Sequence, residues 1–297
     1  LLCRISTRKM VLYKQILISG GKMNKTMTIA IGILLLFVNV VTAACGTQAQ
    51  KAQPLTVKTE AVVQQQLPDK QIMAVPHGVP VLMYHKIGDE AHNDAVISKE
   101  RFAEQMAFLY NQQYNPVTLD QLYDYIVEKK PLPLRPVVIT FDDGYRDTYE
   151  IAMPILRQYG FRSTLFLPAG EVGKNISWDE LRQMKAAGMD IGSHSLTHTE
   201  LAGLSRDVQA REIGLAKEIF DRELQQNTRW FCYPYGVFDN TTKNLLKANG
   251  ITVAVTIQPG WAKAGDDVLT LRRVWMGNQV TLKHFAERIT REDYPIL

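Results

Sequence analysis

The pattern of hydrophobic and polar positions changes at about residue 77, where short apolar runs begin to alternate with stretches of helical period. The runs predicted to be strands are 79–84, 136–141, 163–167, 189–194, 230–233, 251–257 and 271–276. The stretches predicted to be helices are 98–114, 118–129, 146–159, 177–188, 205–224, 240–248 and 281–289. This alternation predicts an α/β fold around a parallel sheet, either open or closed into a barrel.

Polar clusters follow four of the predicted strands. They are His85, the pair Asp142 and Asp143, the pair His194 and His198, and Tyr235 with Gly236. In α/β folds the functional groups sit at the carboxyl ends of parallel strands. We therefore expect these side chains to meet at one end of the sheet.

The clustered residue types are those of a divalent-metal site with a general base beside it. Two imidazoles and one carboxylate, from His194, His198 and Asp143, make an open site for a divalent metal. Asp142, beside that site, is positioned to act as a general base. The structural alternatives are a solvated Asp-Asp-Gly turn and two ordinary surface histidines.

Charge is distributed unevenly along the chain. Residues 1–44 hold six basic side chains and no acidic one, so the remainder has 34 minus 6, or 28, basic against 30 acidic side chains. The formal charge of +4 therefore belongs to the N-terminal segment, and the rest of the chain carries −2. This balance argues against a nucleic-acid partner.

Residues 23–45 have the layout of an export signal. Lys25 precedes an apolar stretch, 29–41, and small residues lead to Cys45. That stretch is shorter than the ~20 residues of a membrane-spanning helix. The segment resembles a bacterial lipoprotein signal, in which Cys45 would carry the lipid. Ordinary cleavage near Ala44 and an uncleaved signal anchor are the alternatives.

The other N-terminal segments are not expected to join the fold. Residues 1–22 are interpreted as a spurious extension, with translation starting at Met23. Residues 46–76, rich in Gln, Ala and Thr, are predicted to be a flexible tether. The folded domain is expected at 77–297, outside the cytoplasm, secreted or tethered to a membrane.

The motifs after the strands resemble those of the polysaccharide deacetylases, also called the NodB-homology domain or carbohydrate esterase family four. Residues 140–144, Thr-Phe-Asp-Asp-Gly, resemble the first family motif, and residues 194–198 resemble the second, H-(S/T)-x-x-H. Residues 233–236, Tyr-Pro-Tyr-Gly, resemble the end of the third. The resemblance implies a distorted (β/α) barrel and metal-dependent removal of acetyl groups from polysaccharide.

The resemblance also implies a role for each matching residue. Asp142 corresponds to the catalytic base, and Asp143, His194 and His198 to the ligands of a divalent metal. Zinc is the expected metal, with cobalt or nickel as alternatives. Tyr235 corresponds to the residue whose backbone N–H stabilises the oxyanion.

The chain departs from the family pattern at two places. The family usually has an arginine, which tethers the base, where this chain has Cys232. Arg273 is expected to replace it, with Arg272 as the competing candidate because neighbouring strand residues face opposite ways. The C-terminal motif that supplies the general-acid histidine is also missing. A circular permutation would let His85, after the first strand, supply that group, since the first and last strands of a barrel are neighbours.

This arrangement resembles the circularly permuted poly-β-1,6-N-acetylglucosamine deacetylases of biofilm systems. The expected substrate is therefore that polysaccharide, with peptidoglycan, chitin oligomers and xylan as alternatives. A non-catalytic carbohydrate-binding protein on a decayed deacetylase fold is the alternative of another class. Trp261 is the expected sugar contact, whereas His77, His92 and His284 are interpreted as surface or loop residues.

Overall fold

The computed structural model describes residues 78–90 and 92–295. The predicted export signal, Cys45, the tether and His77 lie outside the described residues. The strands are β1 (Val81–Tyr84), β2 (Lys86–Ile87), β3 (Val96–Ile97), β4 (Asn115–Pro116), β5 (Pro136–Phe141), β6 (Ser163–Leu167), β7 (Met189–Ser193), β8 (Trp230–Cys232), β9 (Val253–Pro259) and β10 (Leu271–Trp275). The α-helices are α1 (Lys99–Asn111), α2 (Leu119–Glu128), α3 (Met153–Tyr159), α4 (Trp178–Ala186), α5 (Arg206–Leu224), α6 (Asn240–Ala248) and α7 (Leu282–Thr290).

In the described part of the chain, seven parallel strands close into a barrel. Their order is β1, β5, β6, β7, β8, β9 and β10, and β10 pairs back with β1. The predicted (β/α) barrel is therefore confirmed, with the first strand seated between the last strand and β5. The short strands β2, β3 and β4 lie outside this ring and were not predicted.

Side-chain alternation along the strands sorts residues between the helix layer and the barrel interior. On β5, Val137, Ile139 and Phe141 join a cluster with the surrounding helices. Val138 joins a second cluster, which takes residues from six of the seven barrel strands and from α2, and it fills the barrel interior. Because alternate strand residues share a face, Asp142 follows Val138 toward the interior.

The same alternation directs two further groups inward. Val81 and Leu271 belong to the interior cluster, and His85 and Arg273 lie four and two residues beyond them. Both side chains therefore point toward the barrel axis, while Arg272 points outward and is exposed.

Helix starts follow the capping signals in the sequence. Thr118 with Gln121, and Ser177 with Glu180, form the two predicted capping boxes. The segment after β5 differs, because the predicted helix begins as a π-helical stretch, Thr148–Ala152, before α3. Pro154 lacks an N–H and crowds the carbonyl four residues earlier, which disfavours a regular α-helix there. Within residues 78–90 and 92–295, no helix has the length and apolar character needed to cross a membrane.

Asp147 joins the small outer sheet to the segment after β5. Its carboxylate accepts a hydrogen bond from the N–H of Ile87 at 2.9 Å. Burial is the largest effect on this carboxyl and raises its pKa to about 6, although the hydrogen bond from Ile87 opposes the shift. An unfolded aspartate titrates near ~3.9. The native state therefore binds the proton more tightly, and stability is lost as pH rises from about 4 to about 6.

We expect Asp147→Asn to stabilise the protein by about 1–2 kcal/mol at about pH 7.5 and to change little near pH 4. Asparagine keeps the acceptor oxygen for Ile87 but cannot ionise. Urea unfolding at both pH values measures the difference, with the exposed Asp89→Asn as a matched control. An equal effect at both pH values would show that ionisation of Asp147 is not the cause.

Candidate active site

The centre of the site is an ion pair inside the barrel. Arg273 is 0% exposed and donates from Nη1 to Asp142 Oδ1 at 2.8 Å and from Nη2 to Asp142 Oδ2 at 2.6 Å. Its Nε donates to the carbonyl of Thr256 at 2.8 Å, and Nη1 also reaches Thr140 Oγ1 at 3.1 Å. Arg273, rather than Arg272, therefore contacts the candidate base.

Charge–charge attraction fixes the ionisation of this pair. Burial is the largest effect on Asp142 and opposes its ionisation, but the guanidinium of Arg273 outweighs it and lowers the pKa of the carboxyl. For Arg273, burial favours the neutral form, yet Asp142 raises its pKa above the ordinary range. Both groups are therefore charged at neutral pH, and both oxygens of Asp142 are held in a fixed orientation.

His85 lies beside this pair at the end of β1. Its Nε2 is 3.7 Å from Asp142 Oδ2, and Tyr84 pairs in register with Phe141 on β5. The ring also packs against Trp275, with ring centroids 5.1 Å apart. Burial is the largest effect on His85 and lowers its pKa, while Asp142 and Asp143 oppose that shift. The permuted strand order thus brings His85 to the candidate base.

Three candidate metal ligands converge beside Asp142. Asp143 Oδ1 lies 3.4 Å from His194 Nε2 and 3.2 Å from His198 Nε2, and the two imidazole nitrogens are 3.1 Å apart. A tetrahedral ion with ligands at ~2.0–2.1 Å requires donor atoms ~3.3 Å apart. The three atoms therefore have the spacing that a single divalent ion needs.

Protonation of the ligands also suits a metal. His194 Nδ1 lies 2.8 Å from the carbonyl oxygen of Cys232, so it carries the proton and leaves the Nε2 lone pair free. Burial is the largest effect on Asp143 and opposes its ionisation, but the two neighbouring imidazoles outweigh burial and lower the pKa of the carboxyl. The donor set is thus one anionic oxygen and two imidazole nitrogens.

A second group of donor atoms, from Asp142, His194 and Cys232, also lies close together. Both oxygens of Asp142 are engaged by Arg273, which also donates to Cys232 Sγ at 3.2 Å. Burial raises the pKa of the Cys232 thiol well above its ordinary value, so the sulfur is protonated. A protonated thiol is a poor metal ligand, and the set with Asp143 is the one that fits an ion.

Strained backbone is concentrated around these residues. Among the described residues, eight that are not glycine have positive φ, and four of them are Asp143 (72°), Ser195 (66°), His198 (62°) and Tyr235 (57°). Each such conformation costs about 1–3 kcal/mol and persists only where neighbouring contacts impose it. Gly144 completes the turn after Asp143, where a Cβ would lie 2.7 Å from that of Leu167.

Tyr235 lies at the rim of the barrel beside the metal-ligand candidates. Its ring centroid is 4.7 Å from that of His198, and 55% of the residue is exposed. Tyr235 therefore joins the other predicted site residues, and all seven meet at one end of the barrel.

The prediction that Trp261 contacts the sugar is wrong. Trp261 is 7% exposed, packs in the hydrophobic core and donates its indole N–H to the carbonyl of Arg288 at 2.9 Å. Sequence reasoning missed Trp275, which is partly exposed and packs on His85. Tyr145, which directly follows the first motif, also lies here, and its hydroxyl hydrogen-bonds to Asp143. Trp275 is the last residue but one of the last predicted strand, a position that was a usable signal.

We expect Arg273→Met to lower the free energy of unfolding by about 3–5 kcal/mol, because it leaves the charge of Asp142 buried without a partner. The exposed neighbour provides a matched control, since Arg272→Met on the same strand should change stability by less than about 0.5 kcal/mol. Urea denaturation near neutral pH measures both. Equal losses in the two variants would contradict the assignment of the ion pair.

Comparisons with known proteins agree with this geometry. A family model described as Polysaccharide deacetylase matches residues 129–254. The Bacillus subtilis protein YxkH, named after the same family, is 30% identical over 249 residues, covering 78% of this chain and 87% of that protein. The poly-beta-1,6-N-acetyl-D-glucosamine N-deacetylase of Staphylococcus epidermidis is 26% identical over 200 residues, covering 61% of this chain and 68% of that enzyme.

A solved structure extends the agreement to the fold. The Streptococcus pyogenes deacetylase PplD, determined in complex with acetate, aligns with a TM-score of 0.69 and 26% identity over 73% of this chain and 100% of that one. Together with the match to YxkH, this confirms the resemblance carried by the sequence motifs. The chain belongs to the polysaccharide deacetylase family, whose members are amide-bond hydrolases that use a divalent metal.

Proposed function

We propose that the protein is a metal-dependent N-deacetylase that removes acetyl groups from the N-acetylglucosamine units of poly-β-1,6-N-acetylglucosamine. The observation that carries the proposal is the grouping at one barrel end. An ionised Asp142 lies beside His85 and beside the three donor atoms that are spaced for a divalent ion. A non-catalytic carbohydrate-binding protein has no need of a buried ionised base next to a metal site.

Asp143, His194 and His198 would hold the metal, with zinc as the first choice for this oxygen and nitrogen donor set. When bound, a divalent metal at this place supplies Lewis-acid polarisation of the acetyl carbonyl and lowers the pKa of the attacking water.

Asp142 acts as the general base. Its carboxylate is ionised and held by Arg273, so it accepts the proton of the water as the water oxygen bonds to the acetyl carbon. Because Arg273 donates to both carboxylate oxygens, the base has one orientation. This fixed geometry lowers the cost of positioning water and substrate.

Tyr235 and His85 stabilise the negative charge on the carbonyl oxygen and protonate the leaving amine, respectively. The backbone N–H of Tyr235 donates to the carbonyl oxygen as it becomes negative. His85 then donates a proton to the amide nitrogen while the carbon–nitrogen bond breaks. Burial lowers the pKa of His85, which makes its protonated form a stronger acid. The products are acetate and a glucosamine unit with a free amine.

The choice of polysaccharide rests on the permuted histidine and on relatives. In this chain the candidate general acid follows the first strand of the barrel, as in the deacetylases of biofilm polysaccharide that the sequence resembles. The Staphylococcus epidermidis relative is named for poly-β-1,6-N-acetylglucosamine. The described domain would meet this polymer outside the cytoplasm, held by the export signal at 23–45 or by a lipid on Cys45.

We expect the zinc-loaded protein to release acetate from β-1,6-linked N-acetylglucosamine oligomers at least about tenfold faster than from β-1,4-linked oligomers. Removal of the metal with a chelator should abolish release, and added zinc should restore it. His85→Gln should lower kcat by about 10²–10⁴-fold, because it removes the proton donor.

The exposed His92→Gln is the matched control and should retain full activity. Faster release from β-1,4-linked oligomers would overturn the choice of substrate while leaving the deacetylase activity intact. No acetate release from either oligomer with zinc, cobalt or nickel would overturn the enzymatic proposal.

A further inference from the structure

The turn that carries two of the candidate metal ligands is held by a carboxylate outside the known motifs. Glu212, on α5, is 7% exposed and reaches the turn between His194 and His198. Its Oε2 accepts the backbone N–H of Leu196 at 3.1 Å and that of Thr197 at 2.9 Å. Its Oε1 accepts the hydroxyl of Thr197 at 3.0 Å.

In the described part of the chain Glu212 forms no ion pair. Its buried carboxylate is therefore stabilised by these hydrogen bonds. A buried carboxylate is costly without such partners. Charge-assisted hydrogen bonds from two successive N–H groups are strong and directional. The helix therefore fixes the direction of the backbone between the two histidines.

The opposite edge of the turn is held as firmly. The N–H of Ala169 donates to the carbonyl of Ser195 at 3.1 Å, and the N–H of Gly170 donates to that of Leu196 at 2.8 Å. A Cβ on Gly170 would lie 2.8 Å from the Leu196 oxygen, so only glycine permits this approach. The carbonyls and N–H groups of the turn thus have partners on separate elements.

The hydrogen bonds with Glu212, Ala169 and Gly170 explain how the strained conformation of the turn persists. Ser195 and His198 both have left-handed backbone, and the N–H of His198 donates to Ser195 Oγ at 3.0 Å. None of these bonds involves a metal. The bonds that shape the turn are therefore separate from the atoms that would hold an ion.

We propose that Glu212 is a positioning residue that preorganises the His194–His198 turn for metal binding. The inference rests on the proposed metal site, but it concerns a residue that does not touch the metal. Groups of this kind typically change metal affinity by about 10–100-fold when removed.

The test compares zinc dissociation constants, measured by competition with a fluorescent chelator. Glu212→Ala should raise the zinc Kd by about 10–100-fold. Glu212→Gln should restore most of the affinity, because its amide oxygen accepts the two N–H groups and its NH₂ faces the rotatable hydroxyl of Thr197. Glu218→Ala, exposed on the same helix, is the matched control and should bind zinc like the wild type.

Amide hydrogen exchange on the metal-free protein provides an independent readout. The N–H groups of Leu196 and Thr197 should be protected in the wild type and in Glu212→Gln, and should exchange faster in Glu212→Ala. If Glu212→Ala does not fold, Glu212→Asp provides the same test, because its carboxylate keeps the charge but is one methylene too short to reach the two N–H groups. It should also weaken zinc binding and amide protection.

The outcomes separate this inference from the proposed function. Wild-type affinity and unchanged protection in a folded Glu212→Ala would overturn the inference and leave the metal site standing. A wild-type protein that binds no zinc would overturn the metal site. In that case the hydrogen-exchange result decides the inference. It would be overturned if the N–H groups of Leu196 and Thr197 were unprotected, or if their protection were the same in Glu212→Ala.

Discussion

The buried ion pair between Arg273 and Asp142 is the interaction on which the site depends. Either charge alone inside the barrel would cost several kcal/mol, so each requires the other. The remaining donors of Arg273 are satisfied by Thr256, Thr140 and Cys232. The pair also gives two adjacent carboxylates different partners. Asp142 has both oxygens engaged with the guanidinium, whereas Asp143, itself in a left-handed conformation, faces the two histidines. One dipeptide thereby supplies a base and a metal ligand.

Much of this arrangement was predictable from sequence, because strand ends in a parallel barrel meet at one rim. The seven barrel strands and the capping boxes followed from local patterns. The neighbouring positions of the first and last strands followed from the resemblance to a barrel fold. The choice between Arg272 and Arg273 did not. Leu271 and Val274 lie on opposite faces of β10 and are both buried, so the apolar pattern does not show which face is the interior.

Long-range contacts account for the features that the sequence did not show. Glu212 belongs to a helix on which most polar residues are at least partly exposed, and its partners lie 15 and 16 residues earlier. Trp261 follows a strand, as a substrate contact would, but it packs against α7 and is buried. In both cases burial depends on how a helix docks on the barrel, and periodicity within one segment does not contain that information.

The central claim is that Asp143, His194 and His198 form a metal centre. Asp142 is not a ligand of it, because Arg273 holds both of its oxygens. Anomalous diffraction at the zinc absorption edge, from crystals grown with zinc, tests it most directly. The account predicts one strong peak about 2.0–2.3 Å from Asp143 Oδ1 and the Nε2 atoms of both histidines, with Asp142 still paired to Arg273. A peak bound instead by Asp142, His194 and Cys232 would contradict it.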